Sequence, residues 1–243
     1  MLTFVTATRH SRADFEARSP LAWSLKRVGE LTPLRLLMVG NNSRPLAEIY
    51  NSAIHDSEGD EILVFVHDDV FIDDWMLGAR LQEALLRFDV VGVAGNRRRQ
   101  PGQETWYMKP GQLIDGQRCI TERDSDWLSG AVRHGVNGDQ GVSVYGAAPA
   151  SVALLDGMFL AARGKTLKER GVSFDPVFPF HFYDLDFCRV SLRAGLTLGT
   201  WPLAMTHESC GESVRSNDWA RACDAYFRKW NELEQVEVAN GSS

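Results

Sequence analysis

Long hydrophobic runs are missing from this 243-residue chain. None approaches the ~20 apolar residues that a bilayer-crossing helix needs, so no helical span is expected. Cysteine is scarce. Four residues, at 119, 188, 210 and 223, leave no pair at the close Cys-x-x-Cys spacing of a zinc or redox site. Free thiols in a reducing compartment are the simplest expectation. Excess positive charge is missing too. The chain has 26 Lys and Arg against 32 Asp and Glu, a net charge of −6. That argues against nucleic acid as a partner, since its binders carry a basic footprint. The local exception, Arg97-Arg98-Arg99, could face phosphates, although charge runs are commonly solvated. The opening MLTFVTATRH has no charged region followed by a long apolar one, so no signal peptide is expected. The expected location is the cytoplasm, with contact at the inner face of a membrane left open.

What is present suits a globular core: 44% of residues are hydrophobic and 24% charged. Short apolar runs at Leu2–Thr6, Leu34–Val39, Ile62–Val66, Val90–Ala94 and Val152–Ala162 read as strands. They are continuous rather than alternating, which suits strands covered on both faces. Helical spacing appears at Leu46–His55, Asp73–Phe88, Asp184–Ala194 and Ser216–Leu233. The alternation predicts an α/β fold with a mostly parallel central sheet flanked by helices. No repeat or interdomain linker is apparent, so residues 1–233 read as one domain and 234–243 as a flexible tail.

Residues 97–150 differ. They are rich in glycine, and Trp106, Tyr107, Trp127 and Tyr145 are scattered among them. A long irregular segment in a compact domain is usually functional or disordered. Its aromatics favour function, because disordered segments are aromatic-poor.

The most informative stretch is EILVFVHDDVFIDDW, where a greasy run ends abruptly in His67, Asp68 and Asp69. Ionised carboxylates are costly to bury without a positive partner. Ligands of open α/β sheets bind at the carboxyl ends of strands. Here three successive strands end in polar residues: Thr6-Ala7-Thr8-Arg9, Gly40-Asn41-Asn42-Ser43 and His67-Asp68-Asp69. Two carboxylates on that rim could hold a hard divalent cation bridging a substrate's phosphates. The alternative is that they only begin a turn and cap the next helix.

The second half adds Asp156-Gly157-Met158-Phe159-Leu160, Phe174-Asp175, Asp184-Leu185-Asp186-Phe187-Cys188-Arg189, Arg193-Ala194-Gly195 and a late His207. In order and spacing, from Leu2 to about His207, the chain resembles the inverting family-two glycosyltransferases with the GT-A fold. The resemblance implies transfer of a sugar from a nucleoside diphosphate to an acceptor hydroxyl, with Mn²⁺ or Mg²⁺ as cofactor. Asp69, Asp68 and His207 would be the metal set. A histidine ligand would favour Mn²⁺, because imidazole suits transition metals. Asp184 would be the general base, and its alternative is a helix cap. Thr6, Thr8, Arg9, Asn41, Asn51 and Asp68 would contact the donor, with a UDP-sugar favoured over a GDP- or dTDP-sugar. Asp156, Gly157, Trp127 and Asp186 would lie on the sugar and acceptor side. The acceptor would be a glycan, lipid-linked or protein-linked.

The chain departs from the family pattern in three places. Gly40 and Asn41 replace an acidic pair that reads the nucleobase, Thr6-Ala7-Thr8-Arg9 replaces the usual end of the first strand, and His67 replaces a first acid of the metal motif. Two rivals stand beside the transferase. One is a catalytically silent module of the same fold that binds a nucleotide or glycan. The other is a nucleotidyltransferase, but its Gly-rich, Lys/Arg-containing loop is absent from RHSRADFEARS.

Overall fold

A computed structural model of the chain describes residues 1–114, 117–119, 122–209 and 216–232. The tail 234–243, Leu233, Gly116, Cys210 and the Cys119 side chain, for which expectations were stated, lie outside the described residues.

The chain opens with β1 (Leu2–Ala7), α1 (Arg12–Arg18), α2 (Pro20–Val28) and β2 (Leu34–Val39). Next come α3 (Leu46–Asp56), β3 (Ile62–Val66), β4 (Val70–Ile72), α4 (Leu77–Ala84), β5 (Val90–Gly92) and β6 (Ala94–Asn96). The middle holds β7 (Gln112–Ile114), β8 (Gln117–Cys119), β9 (Leu128–His134), β10 (Val142–Gly146), β11 (Ala150–Ser151) and β12 (Leu154–Leu155). It closes with β13 (Phe159–Arg163), α5 (Gly164–Glu169), α6 (Tyr183–Arg193), β14 (Leu198–Thr200), β15 (Met205–His207) and α7 (Asn217–Lys229).

Among the described residues, seven strands form the main sheet in the order β11-β14-β5-β13-β3-β1-β2. β1 is parallel to β2 and β3, and β14 to β5, while β13 runs antiparallel to both β3 and β5. With β11 antiparallel to β14, five of these seven strands share one direction, as expected, while only three of the six pairings are parallel, and helices flank the sheet. Every residue of β3 is buried, which explains its unbroken apolar run. One contiguous core carries the fold, and at its centre Phe174 stacks on Phe187 at 4.1 Å between centroids.

The segment 97–150 is not irregular throughout. β9 and β10 join β6, β12, β15 and β4 in a second, six-stranded sheet. Several of its glycines serve close approach. Gly130 has φ +100°, and a Cβ there would meet the Val93 carbonyl oxygen at 2.0 Å.

Two expected elements are shorter. The strand expected over Val152–Ala162 is split into β12 and β13 by a turn in which Asp156 Oδ1 accepts the Met158 N–H at 2.9 Å. Such a side-chain bond competes with the ladder. The helix expected over Asp73–Phe88 shrinks to α4, because the aspartates are used elsewhere. Asp73 accepts from the Thr206 hydroxyl at 2.7 Å, and Asp74 pairs with Arg80 at 3.1 Å. α1 and α2 are additional. Ser216 caps α7, its hydroxyl accepting the Trp219 N–H at 3.1 Å. Neither Cys188 nor Cys223 is in a disulfide, and no described helix is long and apolar enough to cross a membrane.

Candidate active site

The end of β3 opens into a cavity of about 1060 Å³ between the two sheets and the start of α6. β3 ends at Val66, and His67, Asp68 and Asp69 make a tight turn, closed by the Val70 N–H on the His67 carbonyl at 3.4 Å, before β4 begins. His67 and Asp69 both line the cavity, while Asp68 does not. His207 reaches the same place from β15, which pairs with β4 at Val70 and with β9 at His134. His67, Asp69 and His207 each offer one ligand atom, and these atoms lie within 4.8 Å of one another.

The cluster fits a cation. Asp69 Oδ1 and His207 Nε2 form an ion pair at 3.2 Å, and His207 Nε2 also lies 3.0 Å from the Ser209 hydroxyl. A cation entering between the two side chains would take the place of that pair. Burial alone would raise the Asp69 carboxyl, but His207 and His67 beside it hold it well below its ordinary range. Burial keeps His67 below its usual value, hence a neutral ring able to ligate. For His207, burial lowers and the Asp69 carboxylate raises, and the carboxylate prevails.

Asp184 faces this cluster from the first turn of α6. The helix is entered through Phe182 at φ +64°, a left-handed conformation rare for a bulky residue. Packing of Phe182 on Trp219 and Tyr226, at 5.4 and 5.2 Å between centroids, holds it there. The turn aims Tyr183 and Asp184 at the cavity. Strain of this kind persists where surroundings over-determine it. Asp184 Oδ2 accepts the Gly157 N–H at 3.0 Å, and the Tyr183 hydroxyl donates to the Gly157 carbonyl at 2.8 Å. Burial, helped by Asp156, pushes the Asp184 carboxyl up to about 7. A base poised near neutrality suits proton transfer.

The opposite wall is aromatic. Trp106 packs edge-on to Tyr107 and Tyr145 at 5.3 and 4.9 Å, and the Arg123 guanidinium lies 4.7 Å from the Tyr145 ring centre. His134, Asp156 and Gly157 also line the cavity.

The remaining sequence candidates lie elsewhere. Thr6 is buried in the core, and its hydroxyl has no partner. Thr8 accepts the His10 N–H at 3.1 Å, while Arg9 and Asn41 are exposed at the ends of β1 and β2. Asp68 sits close enough to Tyr50 to disfavour ionisation of its phenol, and its carbonyl accepts from Ser19 at 2.6 Å. The amide of Asn51 is engaged with Phe174, donating to its carbonyl and accepting its N–H, both at 2.8 Å. Asp186 is fully buried and holds Lys229 at 2.8 Å and Trp230 at 2.9 Å. Trp127 stands outside the cavity beneath Arg98, whose guanidinium is 4.8 Å from its ring centre. The arginine run is largely paired: Arg98 with Asp124, Arg99 with Glu232. Missed from sequence were His67 as a ligand, Tyr183 and His134, whereas Trp106, Tyr107 and Tyr145 belong to the aromatic set of 97–150 already read as functional. Only His67 carried a signal, its two-residue spacing from Asp69.

No family model and no curated protein matches the chain. Solved structures do. A197 from STIV is similar at a TM-score of 0.45 and 11% identity, over 83% of this chain and 81% of that one. The mannosyltransferase PcManGT from Pyrobaculum calidifontis, in complex with GDP-Man and Mn²⁺, gives 0.44 and 12% over 100% and 64%. A mutant of Drosophila β1,4-galactosyltransferase 7, in complex with manganese, UDP-Gal and xylobiose, gives 0.43 and 8% over 82% and 65%. The chain spans less than two thirds of the length of those two transferases.

Proposed function

We propose that the chain is a metal-dependent glycosyltransferase that moves a sugar from a nucleoside diphosphate to an acceptor hydroxyl with inversion. One observation carries this reading. A carboxyl poised near 7, Asp184, shares a cavity with a His67–Asp69–His207 ligand set. Direct displacement with inversion needs a base on the acceptor side and charge neutralisation on the leaving-group side, and the cavity can supply both.

A bound divalent ion would neutralise charge on the departing diphosphate. The chain's own residues do the rest. Asp184 takes the acceptor hydroxyl's proton, with Oδ2 steadied by the Gly157 N–H. Asp156 and Gly157 form the floor under the sugar. Tyr107 and Tyr145 offer ring faces to the acceptor, a glycan in free, lipid-linked or protein-linked form. The nucleoside lies over the ends of β1 and β2, where Thr8, Arg9 and Asn41 stand, with Asp68 behind them. We keep the UDP-sugar as first choice of donor and the GDP- and dTDP-sugars as the next. Asn51, Asp186, Thr6 and Trp127 are assigned to holding the fold.

The test is release of nucleoside diphosphate from UDP-, GDP- and dTDP-sugars with Mn²⁺, with and without chelator, across an acceptor panel. Turnover should require the ion and fall in Asp184→Asn. The reading fails if no nucleotide sugar is turned over, or if turnover persists in excess chelator.

A further inference from the structure

Arg97, Arg98, Arg99 and Arg133, around the aromatic wall, are all engaged. Arg97 donates to the Asp126 carbonyl, Arg98 and Arg99 pair with Asp124 and Glu232, and Arg133 donates to the Gly138 carbonyl at 3.1 Å. Arg123 is different. It lines the cavity, yet no carboxylate or carbonyl oxygen of the described residues accepts from its guanidinium. The group lies instead on the Tyr145 ring, 4.7 Å from the centre. Stacking uses the flat face of a guanidinium and leaves its N–H edges to donate. The side chain is exposed, but the backbone beneath it is fixed. Arg123 pairs with Met108 across an antiparallel bridge, with the Lys109 N–H on the Glu122 carbonyl at 2.9 Å and the Asp124 N–H on the Tyr107 carbonyl at 3.0 Å. Asp124, the next residue, is buried and accepts from the Asn96 amide at 3.0 Å. The charge also reaches into the cavity. Burial raises the phenols of Tyr107 and Tyr145, and the Arg123 charge works against that rise at both.

A guanidinium held this way matches an oxyanion, because its planar fork fits carboxylate and phosphate. At about 1060 Å³ the cavity stands at the upper end of ligand sites, which leaves room for an acceptor beside the donor sugar. Asp156 and Asp184 line it too. They repel a like charge, so an acidic acceptor enters with its anion toward Arg123 and a neutral hydroxyl toward Asp184.

We propose that the acceptor is anionic, a sugar bearing a carboxylate or a phosphate, and that Arg123, held on the Tyr145 ring, is the residue that selects it. The proposal rests on the transferase reading and deepens it by giving the acceptor a charge. Binding to the metal-free chain tests it without any turnover.

The experiment titrates the full metal-free chain, followed by tryptophan fluorescence, with matched pairs of sugars. One arm takes oligosaccharides of glucuronate, galacturonate and mannuronate against their carboxyl-reduced forms. The other takes the 6-phosphates of glucose, galactose and mannose against the free sugars, so the two arms tell carboxylate from phosphate. In at least one pair the acid should bind about 10-fold more tightly than its neutral partner, the usual gain from a hydrogen-bonded charge. Arg123→Gln should bring that acid down to the affinity of the neutral sugar. Arg123→Lys keeps the charge without the fork and should restore part of the preference. A merely structural role for Arg123 would lower the Tm and weaken acidic and neutral sugars alike. The proposal is overturned if the neutral sugars bind as tightly as the acids, if no member of either arm binds, or if Arg123→Gln keeps the preference. Acid-selective binding without transfer from any nucleotide sugar would sink the transferase reading and leave this one intact. Transfer to neutral acceptors alone would do the reverse.

Discussion

Gly157 and Asp184 grip each other: the glycine N–H donates to Asp184 Oδ2 at 3.0 Å, and no side chain fits between them. A Cβ on Gly157 would lie 2.8 Å from Asp184 Cβ and 2.4 Å from the Tyr183 hydroxyl oxygen. Both neighbours are the start of α6, so a methyl group must push that turn outward. Gly157→Ala should therefore lose transfer by roughly 10²-fold, as a displacement near 1 Å can cost. It should also weaken Mn²⁺ binding, because Tyr183, whose hydroxyl lies 2.8 Å from His67 Nε2, moves with Asp184. Parallel kcat and Mn²⁺ titrations check both, and wild-type values for either would show that α6 is not coupled to Gly157 as described.

The proton-accepting role of Asp184 has a pH signature. Its carboxyl is pushed up to about 7 by burial and by Asp156. The transfer rate should rise with pH through about 7 and then level off, since the base must be ionised. Asp184→Asn should lower kcat by roughly 10²–10⁴-fold while leaving Mn²⁺ binding unchanged. A near-wild-type rate in that variant would make Asp184 a helix cap only.

The same group makes a stability prediction of opposite sign. In the unfolded chain an aspartate ionises near pH ~4, but in the folded chain Asp184 keeps its proton to about 7. The folded state thus binds more protons between those values, and stability falls as pH rises across them. Below pH ~4 the contribution is fully present, and above about 7 it is fully lost. Metal-free Asp184→Asn should gain in Tm over wild type as pH rises through that window, with the difference constant above it. A difference that does not change with pH would mean that Asp184 is solvated.

The positions of β1, β2 and β3, and the polar ends they carry, were legible because each is a local, continuous apolar run. The buried β3 and its polar end needed no long-range information. The second sheet was not legible, since β6 and β12 are short strands and both pair with partners far along the chain. Asn51 is another non-local case: it is engaged by Phe174, 123 positions away. α1 and α2 carried readable signals, Ser11 accepting from the Asp14 N–H and Ser19 preceding Pro20. His67 was hidden behind the adjacent acids. The turn that joins β3 to β4 brings Asp69, and not Asp68, to the cavity beside His67.

The aromatic wall separates two tryptophan and tyrosine roles. Tyr145 lines the cavity with Tyr107, whereas Trp127 sits outside it under Arg98. Tyr145→Ala should raise the acceptor KM about 5-fold, since ring stacking on a ligand is worth on the order of 1 kcal/mol. Trp127→Ala should leave both donor and acceptor KM unchanged. The reverse pattern would move the acceptor to the other side of β9.

The last turn of the described chain anchors α7 through a charge that has nothing to do with chemistry at the cavity. Glu232 is buried and meets Arg99, Arg189 at 2.8 Å, and the Gly102 N–H at 3.0 Å. The Arg189 guanidinium in turn lies 3.8 Å from the centre of the Trp230 ring. Removing one partner from a buried network leaves the others charged and uncompensated, which costs about 3–5 kcal/mol. Glu232→Gln keeps the volume and the hydrogen-bonding capacity but removes the charge. Its Tm should fall by roughly 10 °C, at ~2–4 °C per kcal/mol for a chain of this size. The exposed pair Asp218–Arg221 gives the control, because solvent screens it and its loss should hardly be measurable. Well below its Tm, Glu232→Gln should bind Mn²⁺ as wild type does, since none of the three ligands touches Glu232. A Tm equal to that of wild type would show that the two arginines find other partners when the glutamate charge is gone.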